Sequence, residues 1–257
     1  MNISISILTW NDIEDTKILI ESLVMDFHDL EKNHNVFLNI CDNGSTDGTV
    51  EFLKKCKSLP INLILLEENK GINISKNILI EESIKQDSEY MFAFDHDLAI
   101  IRGSMAGMLD VISQNDSVGC FGQHIDFSTK DKNSELITKN FPDISDLIIE
   151  KNVRSGCGAV RPWPHYSVYR MSIFLEGVRF DTNGPFSYPG YGFDDDDLGM
   201  QISEKGYDVW CFVDLYCYHN VNSSITRLEE CGLLSSYSER EKYFLNKWSH
   251  ILEKKNV

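Results

Sequence analysis

The chain has 257 residues, and its 40 acidic residues outnumber its 24 Lys and Arg residues, which gives a formal charge of −16. Hydrophobic residues make up 42% of the sequence, so a sizeable core is expected, and the length suits one elaborated α/β domain. An acidic excess without a basic cluster argues against nucleic acid or an anionic membrane surface as the main partner. An anionic ligand would therefore need a metal ion or backbone amides.

The cysteines and the first residues of the chain allow a prediction of the cellular compartment. The seven cysteines are an odd number without a C-x-x-C pair, which is typical neither of a disulfide framework nor of a zinc site. The opening residues MNISISILTWND lack a basic region, and their apolar run is too short and too alternating for a signal peptide or membrane span. We therefore expect a cytoplasmic protein without a transmembrane segment, which leaves room for peripheral contact with a membrane.

The first hundred residues alternate between predicted strands and predicted helices. Apolar residues at every second position predict a strand over residues 3–9, and helical spacing from residue 18 to 27 predicts a helix. Strands are also predicted at 36–41, 61–66 and 90–94. Helices are predicted at 74–84 and after a cap at Thr46 or Asp47, the latter running to about residue 57. This alternation predicts a mostly parallel sheet with helices on both faces, because parallel neighbours need crossover connections.

After residue 100 the alternation weakens. A helix at 104–113 and a strand at 118–122 are followed by a polar, irregular stretch at 127–152, which we expect to form a lid or acceptor loop. Residues 153–193 are rich in Gly, Pro and aromatic residues and predict a rigid concave wall. A helix at 195–205, a strand at 209–212 and a C-terminal helix at 238–254 complete the chain.

Polar clusters follow each of the first four predicted strands. They are Thr9-Trp10-Asn11, Asp42-Asn43-Gly44-Ser45, Asn69-Lys70-Gly71 and Asp95-His96-Asp97. Each cluster taken singly is typical of a turn or a helix cap. In open α/β sheets, however, ligands bind outside the carboxyl ends of the strands. The joint placement therefore predicts that four loops converge on one crevice.

The pair Asp95 and Asp97 is a candidate cation site. In an extended segment their side chains point the same way, and oxygen ligands of this kind suit a hard divalent cation that is shared with a diphosphate. Without a cation, these carboxylates would repel the diphosphate. Two like unit charges about 4 Å apart cost on the order of 4 kcal/mol at an effective dielectric of 20. The acidic pair therefore implies a bound cation.

A second acidic cluster, Asp194 to Asp197, opens a predicted helix behind the hinge Tyr191-Gly192-Phe193. Acids at a helix start complement the helix dipole by about 0.3–1 kcal/mol each, but one or two would be enough. Crowding of four carboxylates should raise the pKa of at least one toward the range of a general base. We expect this cluster to be functional, with Trp163, Tyr166, Tyr188 and Tyr191 as apolar faces for a ligand.

Together these segments resemble glycosyltransferase family 2 and its relatives of the GT-A fold. Residues 3–11, 41–49, 69–77 and 95–97 are similar in order and spacing to the nucleotide-binding half of these enzymes. Residues 174–181, 190–198 and 204–207 resemble the acceptor half, in particular the acceptor segment of galactosyltransferase type. The resemblance implies one GT-A domain over 1–257, with a nucleotide-sugar half at 1–100 and an acceptor and catalytic half at 101–257. Its expected fold class is α/β, with a Rossmann-like, mostly parallel central sheet flanked by helices and an elaborated C-terminal region.

By position, the resemblance also implies the roles of individual residues. The donor would be bound by Thr9, Trp10, Asp42, Asn69, Lys76 and Asp95, with Asp42 at the nucleobase. The metal ligands would be Asp95, Asp97 and the late histidine His219, although a lone histidine is more often structural. Asp195 falls at the catalytic base, and Asp194 falls beside it as a binder of the acceptor hydroxyl. Departures from the usual residues at Tyr191, Phe193 and Asp194 indicate a different acceptor pocket, and Lys76 stands where Arg is common.

These residues favour a metal-dependent glycosyltransferase of hexosyltransferase type. We expect a UDP-sugar donor, Mn²⁺ or Mg²⁺, and one inverting displacement onto a glycan, lipid-linked or protein acceptor. A sugar-phosphate nucleotidyltransferase is a rival, but it would normally carry a Gly-rich, basic loop after the first strand, and residues 9–12 are neither. A second rival is a non-catalytic carbohydrate- or cation-binding module whose acids only hold a cation.

Overall fold

A computed structural model describes residues 1–125, 142–160, 162, 165–219, 226, 229–230, 232 and 237–252. Within these residues, nine strands form one sheet with helices packed against it. The strands are Asn2–Thr9 (β1), Asn35–Asp42 (β2), Ile61–Leu65 (β3), Tyr90–Asp95 (β4), Leu98–Ala99 (β5), Val118–Ile125 (β6), Ile149–Lys151 (β7), Tyr166–Arg170 (β8) and Asp208–His219 (β9). The helices are Ile13–Glu31 (α1), Thr49–Lys55 (α2), Ile72–Lys85 (α3), Ser104–Ser113 (α4), Ser172–Leu175 (α5), Asp194–Glu204 (α6) and Tyr237–Leu252 (α7). Short 3-10 turns lie at Ile144–Asp146 and Gly184–Phe186.

The sheet has the order β3-β2-β1-β4-β8-β6-β9-β5, and β7 pairs with β9. The first four strands are parallel, whereas β8 runs antiparallel to both β4 and β6. β6 and β9 are parallel, and the short strands β5 and β7 are antiparallel to β9. The α/β fold class predicted from the sequence is confirmed. Its parallel order belongs to the N-terminal half, and the antiparallel pairs lie in the C-terminal half.

The strand register aligns the segments that carry the predicted site. Thr9 pairs with Asp42, which in turn pairs with Leu65 on the next strand. On the other side of β1, Leu8 pairs with Asp95. The carboxyl ends of these parallel strands therefore share one edge of the sheet, as the position of their polar clusters predicted.

Apolar side chains bury both faces of the sheet. One face packs against α1 and α4 through residues such as Ile5, Leu19 and Met105, and the other packs against α3 and α6. A third cluster joins Phe244 and Trp248 of α7 to α6 and the segment before it. Full burial of one such side chain is worth about 1.5–3 kcal/mol. The C-terminal helix is therefore fixed beside the start of α6. None of the described helices is long and apolar enough to cross a membrane.

One strand that the sequence analysis missed and one shifted helix start have physical reasons. β8 was missed because Tyr166 and Val168 are buried on one face and Tyr169 on the other, so the strand shows no alternation. α2 begins after Gly48, which has φ 99°, and the side chain of Asp47 accepts a hydrogen bond from the amide of the first helical residue at 3.1 Å. The helix therefore starts one to two residues later than a cap at Thr46 or Asp47 predicted.

Parts of the predicted loop and wall are ordered elements or lie outside the described residues. The expected irregular stretch at 127–152 contains a 3-10 turn and β7 in its second part, and residues 126–141 lie outside the described residues. β9 extends far beyond the predicted residues 209–212. α7 agrees with the predicted helix as far as residue 252, and residues 253–254 lie outside the described chain.

Candidate active site

Asp42 holds the first two strand ends together. Its Oδ2 accepts a hydrogen bond from Thr9 Oγ1 at 3.0 Å, and its Oδ1 accepts one from the Ser45 amide at 2.8 Å. The residue is only 1% exposed, and Thr9 and Trp10 are buried beside it. Thr9, Trp10 and Asp42 are thus brought together at the predicted edge.

Asn69 organises the loop after β3. Its Oδ1 accepts hydrogen bonds from Asn43 Nδ2 and from the Gly71 amide, both at 2.8 Å. Gly71 has φ 87°, and a Cβ at this position would lie 3.1 Å from the backbone of Tyr188 and Pro189. The donor-side loop therefore touches the wall that the sequence assigned to the acceptor side, and only glycine fits between them.

Asp95 is held by two cationic or hydrogen-bonding side chains. Lys76 Nζ lies 3.3 Å from its Oδ1, and His165 Nδ1 lies 2.5 Å from its Oδ2. The Asp95 amide also donates to the His165 carbonyl at 3.1 Å. Sequence reasoning missed His165, because it precedes the unrecognised strand β8, whose antiparallel pairing with β4 brings it to Asp95.

Lys76 connects the two acidic clusters. Burial by itself lowers the pKa of its ammonium group, but the carboxylates of Asp95, Asp195 and Asp194 outweigh this effect, and the pKa is raised. The ammonium also lies 5.4 Å from the centroid of the Phe180 ring. The carboxylates that act on this lysine of α3 lie about a hundred residues apart in the chain, so the fold brings both predicted clusters near Lys76.

Asp97 lies one residue before the backbone pair that Leu98 forms with His219. Asp97 is 6% exposed and directly precedes β5, whose Leu98 pairs with His219 in the antiparallel ladder with β9. The side chain of His219 lies outside the described residues, so its metal role stays a prediction. Among the described residues, no three His, Cys, Asp or Glu side chains form a ready-made metal centre.

The four acids at the start of α6 have different surroundings. Asp197 is fully buried, its Oδ1 lies 2.6 Å from Lys247 Nζ and accepts from Trp248 Nε1 at 2.8 Å, and its Oδ2 accepts from Gln201 at 2.7 Å. Burial raises the pKa of Asp197 despite these contacts. The raised pKa expected in this run is therefore found at an acid that anchors α7, and its cause is burial rather than crowding.

The other three acids point elsewhere. Asp194 Oδ1 lies 3.9 Å from an Arg240 nitrogen, and Asp196 Oδ1 lies 3.8 Å from the thiol of Cys157. Asp195 acts on Lys76 and also on Tyr169 of β8, where burial first and the Asp195 charge as well raise the pKa of the phenol. Asp195 therefore lies near both Lys76 of α3 and Tyr169 of the sheet.

Aromatic residues line the outer wall unevenly. The rings of Tyr191 and Tyr237 stack with centroids 6.3 Å apart, and the residues are 44% and 53% exposed. Tyr188 is 48% exposed, whereas Tyr166 is fully buried in the core. The expectation that Tyr166 offers a face to a ligand was therefore wrong, because it lies on the core side of β8. Trp163 lies outside the described residues.

Comparison with known proteins decides the family. The sequence profile described as Glycosyl transferase family 2 matches residues 4–177, which is more than half of the chain. The chain belongs to glycosyltransferase family 2. The acid run at Asp194–Asp197 and helix α7 of this glycosyltransferase lie outside the matched region. The family match therefore says nothing about their contacts, which are seen in the structure.

Solved structures confirm the GT-A fold at low sequence identity. Residues 1–349 of TarS from S. aureus have a TM-score of 0.61 and 16% identity, covering 99% of this chain and 74% of that chain. The same protein in complex with UDP has a TM-score of 0.62 and 17% identity, with the same coverage. Mannosyltransferase PcManGT from Pyrobaculum calidifontis, in complex with GDP-Man and Mn²⁺, has a TM-score of 0.64 and 13% identity, covering 98% of this chain and 68% of that chain. Curated proteins give no match.

Proposed function

We propose that this glycosyltransferase transfers a sugar from a UDP-sugar to an acceptor hydroxyl, with UDP as the leaving group, in a metal-dependent, inverting reaction. The observation that carries the proposal is the convergence of Asp95 and the Asp194–Asp195 pair on buried Lys76. Structural neighbours that were solved with UDP, or with GDP-Man and Mn²⁺, support a nucleotide-sugar donor. Family membership removes the two rival assignments, and residence in the cytoplasm stays part of the proposal.

The residues present fit a divalent cation. Mg²⁺ and similar ions are commonly bound through one or two carboxylates, with waters and substrate phosphates completing the coordination. Asp95 and Asp97 supply such carboxylates, and the backbone register pairs His219 with Leu98, the residue after Asp97. When bound, the cation would neutralise charge on the leaving diphosphate.

Four side chains of the protein have separate roles in the proposed transfer. Asp195 removes the proton of the acceptor hydroxyl as it attacks the anomeric carbon, and Asp194 orients that hydroxyl. Lys76, whose raised pKa keeps it protonated at neutral pH, adds positive charge beside the diphosphate. His165 fixes the orientation of Asp95 through their hydrogen bond. A single displacement inverts the configuration at the anomeric carbon.

Donor specificity is assigned to the Asp42 region. Each Asp42 oxygen already accepts one hydrogen bond, but a carboxylate offers about four lone-pair sites in total, so it can also accept from uracil N3–H. Trp10 directly follows Thr9, which donates a hydrogen bond to Asp42. Asn69 shapes the neighbouring loop. A purine presents a different edge at this position, which favours UDP over GDP.

The acceptor is assigned to the side of the crevice that carries exposed tyrosines. Tyr191 and Tyr237 present stacked, half-exposed rings. Tyr191 lies three residues before Asp194, and the Tyr237 ring also contacts Phe193. Aromatic faces of this kind pack well on the apolar faces of sugar rings. This arrangement favours an acceptor that itself contains a sugar, whether free, lipid-linked or protein-linked.

Calorimetric titration tests donor and metal together. We expect UDP to bind with Mn²⁺ and to lose binding in excess chelator, because the acidic crevice repels the diphosphate. Asp97→Ala should abolish binding, while Asp116→Ala, a change at a fully exposed acid, should leave it unchanged. Release of free UDP from a UDP-sugar then reports turnover. Unchanged UDP binding in chelator would exclude the metal role, and equal binding of GDP and UDP would contradict the assignment of Asp42.

A further inference from the structure

Helix α7 inserts a buried arginine beneath the acceptor wall. Arg240 is 2% exposed, and its Nη2 donates to the Tyr188 carbonyl at 3.0 Å. Its Nη1 lies 3.9 Å from Asp194 Oδ1, and its guanidinium carbon lies 5.1 Å from the centroid of the Phe186 ring. One side chain therefore contacts the 3-10 turn, the exposed tyrosine segment and the start of α6.

Stability alone is a poor reason for this placement. Burial lowers the pKa of Arg240, which shows that the charge is held at a cost, while the charge of Asp194 works against that effect. Buried ion pairs often add little net stability compared with apolar residues of similar size. The planar guanidinium group, in contrast, fixes the geometry of several partners at once. Its contacts therefore point to positioning.

A second cation on the same helix provides a contrast. Lys247 lies 2.6 Å from Asp197 Oδ1 and 2.8 Å from Asp181 Oδ2. Both Asp197 oxygens are engaged by the protein, and this acid is fully buried. Lys247 thus anchors α7 to the fold through Asp197 and Asp181, whereas Arg240 contacts Asp194.

We propose that Arg240 is a positioning residue for the transfer reaction. It holds the Asp194 carboxylate and the wall at Phe186 and Tyr188 in place, so that an acceptor hydroxyl bound at Asp194 lies against Asp195. The inference rests on the proposed function and extends it to a helix outside the family-matched residues 4–177. In this role Arg240 acts through Asp194 and the wall, with which its contacts are made.

Steady-state kinetics with a UDP-sugar and water as the acceptor test this role, because hydrolysis needs no knowledge of the natural acceptor. We expect Arg240→Met to lower kcat about 100-fold, the scale of a misplacement of about 1 Å, while the donor KM stays within threefold. Arg240→Lys should lie between Arg240→Met and the unmodified enzyme, because it keeps the charge but loses the planar fork. Lys247→Met should lower the melting temperature, yet leave kcat within threefold.

The outcomes separate this inference from the proposed function. If the unmodified enzyme turns over no nucleotide sugar, the proposed function fails first. If it does, a full kcat for Arg240→Met, or equal kcat losses for Arg240→Met and Lys247→Met, would overturn the positioning role. If Arg240→Met does not fold, the kcat values of Arg240→Lys and Lys247→Arg are compared instead. Only Arg240→Lys should then lose about tenfold in kcat.

Discussion

Within the run Asp194 to Asp197, four identical side chains have four different environments because successive residues of a helix point about 100° apart. Asp197 turns into the core and meets Lys247, whereas Asp195 turns toward Lys76. Residue type cannot distinguish the roles of these four aspartates, but the directions of their side chains can. The two acids should therefore respond differently to the same substitution.

The substitution to asparagine distinguishes these two acids. Asp195→Asn keeps the shape but removes the base, so turnover should fall about 10²–10⁴-fold with donor binding intact. Asp197→Asn removes a carboxylate whose pKa is raised by burial, and Lys247 keeps Asp181 as a partner. Turnover of this variant should therefore stay near that of the unmodified enzyme. Kinetics of both variants check this. Full turnover in Asp195→Asn, or a retained anomeric configuration in the product, would contradict the mechanism.

Asp26 predicts a pH dependence of stability away from the crevice. It is 2% exposed, and its carboxylate accepts hydrogen bonds from the amides of Gly103 and Met105 at the start of α4. Burial raises its pKa from 3.8 to about 6, against those two hydrogen bonds. The folded state therefore binds this proton more tightly than the unfolded state, and the stabilisation is lost as the pH rises from about 4 to about 6.

Comparison with Asp26→Asn isolates this effect, because asparagine does not titrate. The free energy of unfolding of the unmodified protein should fall, relative to the variant, by up to about 3 kcal/mol between pH 4 and pH 6.5 and stay level above. Urea titrations across this range measure the difference. Parallel curves for the two proteins would exclude the linkage.

Among the helices and strands, α6 is limited by how closely it approaches its neighbour. A Cβ at Gly199 would lie 2.0 Å from the Val160 carbonyl and 2.7 Å from Pro162 Cδ. The nearest atom is backbone, so it cannot move aside at low cost. The glycine therefore sets the depth at which the helix that carries the acids sits in the fold.

Gly199→Ala tests this close approach. Alanine is the better helix former by about 1 kcal/mol, yet overpacking should destabilise the protein by about 1–3 kcal/mol or more. The matched control is Gly156→Ala, where a Cβ would meet nothing within 4 Å. Melting temperatures of the two variants decide the matter. An unchanged melting temperature for Gly199→Ala would show that α6 can shift freely.

At the scale of the whole molecule, the two predicted halves are joined by side chains rather than by sequence neighbours. Asn73 and Asn77 of α3 donate to the carbonyls of Asp181 and Phe180 at 2.6 and 2.8 Å. Lys76 lies between them on the same helix and reaches the acids of both halves. The proposed site therefore depends on contacts between residues about a hundred positions apart in the chain.

The sequence by itself determined the N-terminal half of this fold and the place of its crevice. The periodicity of residues 3–94 depends on local patterns of burial, and parallel strands with crossovers put all their polar ends at one edge. Asp42, Asn69 and Asp95 could therefore be assigned to one site before any contact was known. The family resemblance extended this assignment to Lys76 and to the Asp194–Asp195 pair.

Only the tertiary structure decided which partners these residues have. His165 reaches Asp95 through the antiparallel strand β8, and such pairing between distant segments leaves no periodic signal in either one. Arg240 and Lys247 stand on one amphipathic helix, yet they meet different acids because packing against α6 fixes its rotation and depth. Local patterns decide which elements form. The directions of their side chains in a shared core decide which acid is an anchor and which faces the crevice.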